Sequence, residues 1–167
     1  GDLHDINVMP VVGEVTYARG DTTSYETGLW SYSDRSKEMV TPGYYRTHLS
    51  RYNVDVELTA TKRVGFHKYT FPEKESPAIV FDMVNGGCWD KTTDAVIRVV
   101  NDSTLSGYRY SKGWADDQRI FFRAEFSRKF DSVAFIVNDS VKEGKMAQGA
   151  QLFARVNFSA GNPAPIY

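Results

Sequence analysis

At 167 residues the chain has the length of one domain, for which roughly 100–200 residues is usual. Hydrophobic residues make up 41% and aromatics 14%, enough for a packed core and too many for a disordered chain. The 20 basic and 21 acidic side chains are mixed along the sequence and sum to a net charge of −1. No basic stripe marks a nucleic-acid backbone site, and no apolar run approaches the ~20 residues of a membrane helix.

In chain order, INVMPVVGEV is a short apolar segment interrupted by Pro10 and Gly13. Thr16 to Gly43 is polar, rich in Gly, Ser and Thr, and lacks a sustained period, so it reads as a long loop or a pair of turns. Within it, Ser33 to Val40 can form one helical turn capped by Ser33 or Asp34. Such long loops are uncommon in compact domains and often functional. Strand patterns follow at YYRTHLSRY, VDVELTAT and VGFHKYTF. In the second of these Val54, Val56, Leu58 and Ala60 fall on one side, with Asp55, Glu57, Thr59 and Thr61 on the other, as a half-buried strand requires.

Further strands are expected at AIVFDMV, AVIRVV, LSGYRYS, RIFFRAEFS, SVAFIV and AQLFARVNFS. The turn-forming clusters NGG, NDS, KGWADD and KEGKMAQG separate them. Short strands at this spacing predict an all-β antiparallel sandwich, with no internal repeat or domain boundary. The chain opens GDLHD, without an initiator Met or an apolar signal region. Either a targeting segment has been removed or the chain is a piece of something longer.

The chemistry is sparser. A single cysteine, Cys88, excludes an internal disulfide framework and a cysteine-based zinc cluster. As a nucleophile it would need a positioned imidazole, and the spacing of His4, His48 and His67 nominates none. Asp55 and Glu57 fall on the solvated face of their strand, and Asp116 and Asp117 sit in a turn, where Asp commonly satisfies local backbone donors. The opening GDLHD packs Asp2, His4 and Asp5 into five residues, enough polar groups for a sugar or metal contact, although such clusters often just cap a turn. Trp30, Trp89 and Trp114 all lie in predicted loops, where an indole can stack on a sugar ring or plug a sandwich edge. Asn101, Asn138 and Asn157 each begin an Asn-x-Ser sequence, read here as incidental. No glycine-rich phosphate loop is present.

Three longer stretches carry more. TPGYYRTHL, VDVELTATKRVGFHKYTFP and GWADDQRIFFRAEFSRKF, in this order, resemble the amino-terminal domain of glycoside hydrolase family 92, the calcium-dependent exo-acting α-mannosidases. The matching positions are Pro42 to Tyr45, Val56 to Pro72 and Gly113 to Phe130, and the likeness runs from Gly1 to about Ser159. The resemblance implies an antiparallel β-supersandwich of the galactose-mutarotase-like kind, truncated at both ends, with residues 1–167 forming most of one domain of a longer enzyme. It implies hydrolysis of terminal α-mannose with inversion, of the α-1,2-mannosidase type, on mannose-terminated N-glycans. The catalytic acid, the base and the calcium ligands belong to a separate helical-barrel domain of the same polypeptide, so no catalytic or metal residue is carried onto this chain. The expected role is to pack on that domain and wall its cleft, in a bacterial periplasmic, cell-surface or secreted enzyme.

Asp2, His4, Asp5 and Trp89 are the candidates to face the substrate or the partner domain. Trp114 reads as a packing residue and is left out. The alternative is a free-standing carbohydrate-binding or adhesion sandwich.

Overall fold

The computed structural model describes residues 5–20, 23–24, 27–86 and 89–167. It is all-β and antiparallel, as expected, with a single turn of 3-10 helix at Arg35–Lys37 among the described residues. The chain divides into two compact units, one formed by residues 1–9 and 78–158, the other by residues 10–77 and 159–167.

The first unit is a sandwich. One sheet has five strands in the order β1-β6-β13-β10-β11, with β1 Asn7–Val12 entering it at one edge, then β6 Pro77–Asp82, β13 Leu152–Asn157, β10 Ser132–Val137 and β11 Ser140–Lys142. The other has four, β12-β7-β8-β9, comprising β12 Met146–Gln148, β7 Lys91–Asn101, β8 Thr104–Lys112 and β9 Gln118–Glu125. Strand β6 is buried at every position, on both faces, which is why its sequence is a continuous apolar run rather than an alternation. Strand β9 shows the opposite pattern, half-buried and exposed residues in strict succession. Its inward Phe122 stacks on Phe81 of β6 with centroids 5.8 Å apart, joining the two sheets.

The AEFSRKF segment after β9 closes one end of this core. Phe126 and Phe130 pack edge-to-face at 6.0 Å, and each also meets Phe158. Their backbone N–H groups donate to the Ser103 and Asp102 carbonyls, both at 2.9 Å. This part of the motif is therefore explained by packing. The β10–β11 hairpin turns through Asn138 and Asp139, with φ of 49° and 59°, the pair of left-handed residues that a type I′ turn demands. Asn138 thus serves the turn, one of the few roles for which Asn tolerates positive φ.

The second unit is built on a four-stranded meander, β2 Met39–Thr41, β3 Tyr44–Leu49, β4 Val54–Ala60 and β5 Gly65–Thr70. Its first turn is Pro42-Gly43, with Gly43 at φ 78°; Pro then Gly at the two corners fits a type II turn. Val54, Val56 and Tyr69 are buried. The expected apolar row of β4 weakens along its length, because Leu58 is only half-buried and Ala60 exposed. On the other face Asp55 and Glu57 are half-buried and partnered rather than simply solvated. Glu57 accepts from Tyr44 Oη at 2.7 Å and Lys68 Nζ at 2.8 Å, and Asp55 Oδ1 lies 2.9 Å from His48 Nδ1.

The polar stretch before Asp34 has no regular strand among its described residues. Arg51 ties it down by donating to the carbonyls of Gly28 at 2.7 Å and Trp30 at 3.2 Å. The helical turn forms with Asp34 as cap, its carboxylate accepting from Ser36 N. At the far end of the unit, Ile166 exchanges two backbone hydrogen bonds with Tyr69.

Candidate functional site

In the first unit a charged residue lies on the core side of β8. Leu105, Gly107, Arg109 and Ser111 alternate inward, and Arg109 is completely buried. A guanidinium in that position requires counter-charges and filled hydrogen bonds, or its desolvation would not be offset. It has both. Nη1 donates to Asp5 Oδ1 at 3.0 Å, and Nη2 forms an ion pair with Asp90 Oδ2 at 2.8 Å. Nε donates to the Met83 carbonyl at 3.1 Å and to Thr92 Oγ1 at 2.9 Å. Thr92 Oγ1 in turn donates to Met83 O at 2.6 Å.

These contacts gather three segments of the sequence. The opening segment supplies Asp5, whose second oxygen accepts from Gln118 Nε2 at 2.7 Å. The loop after β6 supplies Asp90 and, next to it, Trp89. The turn between β8 and β9 approaches Asp90 so closely that a β-carbon on Gly113 would lie 2.6 Å from Asp90 Cα. A β-carbon on Gly86 would likewise meet Asp90 Oδ1 at 2.3 Å. Gly113 is required by its close approach to backbone, not by backbone conformation, whereas at Gly86 the atom met is the end of the Asp90 side chain. The same loop is stiffened by Asp82, which accepts from the N–H groups of Val84 and Asn85 and from the Asn85 side chain. The Asn85 carbonyl receives Asn7 Nδ2.

The outcome is a rigid base carrying two open indoles. Trp89 is 65% exposed and Trp114 76% exposed, and the Asp90–Gly113 contact brings their loops together. Trp114, expected to pack, plugs no edge of this chain. Asp5 is at the site and half-buried, where loss of solvent raises its carboxyl above the usual range despite Arg109 and Gln118. Asp2 and His4, like Cys88, lie outside the described residues. Asp117, in the same turn, pairs with Arg119 at 2.8 Å.

Arg109 and Asp90 were missed at the sequence level. The signal was available, since an arginine at the inward register of an alternating strand calls for a partner carboxylate.

As a calcium site this arrangement does not fit. Asp5 and Asp90 share a guanidinium, and a dication there would face its charge. Among the described residues no group of three or more His, Cys, Asp or Glu side chains stands close enough to hold a metal ion. Among the described residues no helix is long and apolar enough to cross a membrane.

Against known proteins, a family model described as the glycosyl hydrolase family 92 N-terminal domain matches residues 1–167. The chain belongs to this family. Among solved structures, the family 92 domain is similar to the GH92 alpha-mannosidase BT3965 from Bacteroides thetaiotaomicron, solved in complex with mannoimidazole. The likeness has a TM-score of 0.90 at 28% identity over 97% of this chain and 22% of that one. The inverting mannosidase BT2199 of the same organism matches with a TM-score of 0.75 at 19% identity, over 96% of this chain and 20% of that one. A glycosyl hydrolase of the same family, ccman5, gives 0.77 at 22%, over 97% and 22%. These last two likenesses are of fold alone. The family 92 domain thus spans about a fifth of each of those chains. No curated protein matches it.

Proposed function

We propose that this domain is the non-catalytic amino-terminal part of an inverting exo-α-mannosidase of the α-1,2 type. In this reading it packs on a helical catalytic domain and helps form the cleft for mannose-terminated glycans such as N-glycans. The observation that carries the reading is the family match over the whole chain, together with an alpha-mannosidase of which the chain covers 22%. The chemistry of the Arg109 site agrees with a supporting role. Inversion needs two carboxyl groups about 6.5–9.5 Å apart with room for water between them. Between Asp5 and Asp90 stands the Arg109 guanidinium, bonded to both.

Calcium, in this reading, is bound by residues of the helical domain and assists the reaction there. The enzyme works in the periplasm, on the cell surface or outside a bacterium. Trp89 and Asp5 serve the cleft differently. Trp89 offers an indole face to a sugar or to the partner domain, and Asp5 is held against Arg109 beneath it.

The test is α-mannosidase activity, with calcium present, of the chain beside a polypeptide extended to the helical domain. Activity only in the extended protein is expected. Activity in the chain itself would sink the reading. A free-standing carbohydrate-binding sandwich would instead bind glycans while conferring no hydrolysis on the extended protein.

A further inference from the structure

The outer face of the four-stranded sheet in the first unit carries a second constellation, unconnected with Arg109. Tyr108 and Tyr110 on β8 stack with centroids 4.4 Å apart and planes 22° from parallel. The Arg119 guanidinium caps the free side of Tyr110, 5.1 Å from its centroid. Phe121, opposite Tyr108 in the register of β8 and β9, lies 6.0 Å from both tyrosine rings and is 67% exposed. On the other flank, Asp94 Oδ2 accepts from Tyr108 Oη at 2.9 Å and from Gln148 Nε2 at 3.0 Å.

We infer that this face is a non-catalytic oligosaccharide-binding site, with Phe121 and Tyr108 as its stacking floor and Asp94 with Gln148 as its hydroxyl-binding fork. A pyranose is amphipathic. Its C–H faces pack on aromatic rings, and its rim presents adjacent hydroxyls that need acceptors and donors side by side. The structure offers both halves in fixed positions. With Asp94 Oδ2 occupied, Oδ1 of Asp94 and Oε1 of Gln148 remain as a neighbouring pair of acceptors among the described contacts. The rings are held by one another and by Arg119, so little rotamer freedom is left to lose on binding.

The composition of the face argues for a sugar over a protein surface. Its exposed apolar groups are Phe121, Met146 and Val100, joined by the half-buried rings of Tyr108 and Tyr110, and charged and amide side chains lie among them. The buried centre of a protein interface is instead depleted of charge. From β12 to β9 is three strand spacings, roughly 14 Å, so the site suits more than one sugar ring. The preference for mannose in particular rests on the function proposed above; the site itself does not.

Binding of a linear α-linked mannotriose to the chain, followed by amide NMR with maltotriose as control, tests the inference. We expect saturable shifts centred on β8 and β9. Phe121→Ala and Asp94→Asn should each weaken binding by about tenfold or more, and the variant at the mostly exposed Phe121 should keep the unfolding midpoint. Absence of saturation by a folded chain overturns the site, as does saturation that neither substitution alters. Shifts abolished by Trp89→Ala but not by Phe121→Ala would assign sugar binding to the loops over Arg109 and also overturn it. So would protection of this face from hydroxyl-radical footprinting only in the extended polypeptide, which would make it the seat of the helical domain. Equal binding of maltotriose would keep the site and leave mannose to the catalytic domain. Absence of mannosidase activity from the unsubstituted extended protein would be a separate failure, of the function proposed above, and would leave the sugar site to be read from the NMR titration alone.

Discussion

Arg109 Nη1 stands 3.0 Å from Asp5 Oδ1, across 104 residues of sequence and at complete burial of the arginine side chain. Removing one partner of such a pair leaves the other charge without compensation. Arg109→Met should therefore cost about 3–5 kcal/mol, read as a fall in the urea midpoint. Arg109→Lys should recover little of this, because an ammonium cannot reach Asp5, Asp90 and Met83 O at once from one fork. A loss below about 1 kcal/mol for Arg109→Met would show that the three segments are held by something else.

Gly113→Ala tests the close approach of the β8–β9 turn to Asp90. The added methyl would lie 2.6 Å from Asp90 Cα, and backbone on both sides must move. Overpacking of this kind costs about 1–3 kcal/mol. The expected result is lower stability together with a changed fluorescence of the neighbouring indoles. An unchanged emission spectrum would count against a shared base for Trp89 and Trp114.

The two indoles should separate function from stability. Both are mostly exposed, so Trp89→Ala and Trp114→Ala should each alter stability by no more than about 0.5 kcal/mol. In the extended enzyme Trp89→Ala is expected to lower mannosidase kcat/KM at least tenfold, close to 1.4 kcal/mol of lost transition-state stabilisation. Unimpaired hydrolysis would remove Trp89 from the cleft.

The second unit should respond to acid through His67. Burial lowers its pKa below the ordinary histidine value, and its Nδ1 lies 2.6 Å from Tyr69 Oη, a hydroxyl that burial keeps protonated. The neutral ring therefore accepts. Below about pH 6.5 the unfolded chain binds a proton that the folded one resists, so stability present at neutral pH declines as pH falls toward the lowered pKa. Hydrogen exchange at the Tyr69 amide should speed up between pH 7 and 5 relative to its intrinsic rate, and His67→Gln should flatten that dependence.

The β10–β11 hairpin leaves room for improvement. Asp139 holds a left-handed backbone at φ 59°, a conformation that costs most residues about 1–2 kcal/mol and Asp somewhat less. Asp139→Gly should raise stability by about 0.5–1 kcal/mol, seen as a higher melting temperature.

Much of this architecture was legible because a one-sided strand must alternate. VDVELTAT and RIFFRAEFS announce β4 and β9 in this way, and the NDS cluster announces the β10–β11 turn, whereas the Pro42-Gly43 corner reads in the sequence as the end of a long loop. What escaped notice has physical reasons. Pro10 seemed to interrupt the first apolar segment, yet β1 runs through it, and its place at the edge of the five-stranded sheet is where a missing N–H is tolerated. Met146–Gln148 and Met39–Thr41 are strands of three residues, too short to display a period. At the candidate site, the sequence singled out Asp5 and Trp89 by their chemistry but not what joins them. That joint is a matter of register and distance in space, and the residue that makes it, Arg109, sits inside a pattern that reads only as strand.

The two units are interlaced along the chain: residues 1–9 complete a body otherwise made of 78–158, and residues 159–167 return to the body made of 10–77. Neither is therefore a module that a single pair of cuts could lift out. During synthesis the body containing Asp5 must wait for Arg109 to leave the ribosome, and the meander must wait for Ile166. Gene fusions and truncations that break the chain within this region should thus disable both bodies together, so the two are inherited as one piece.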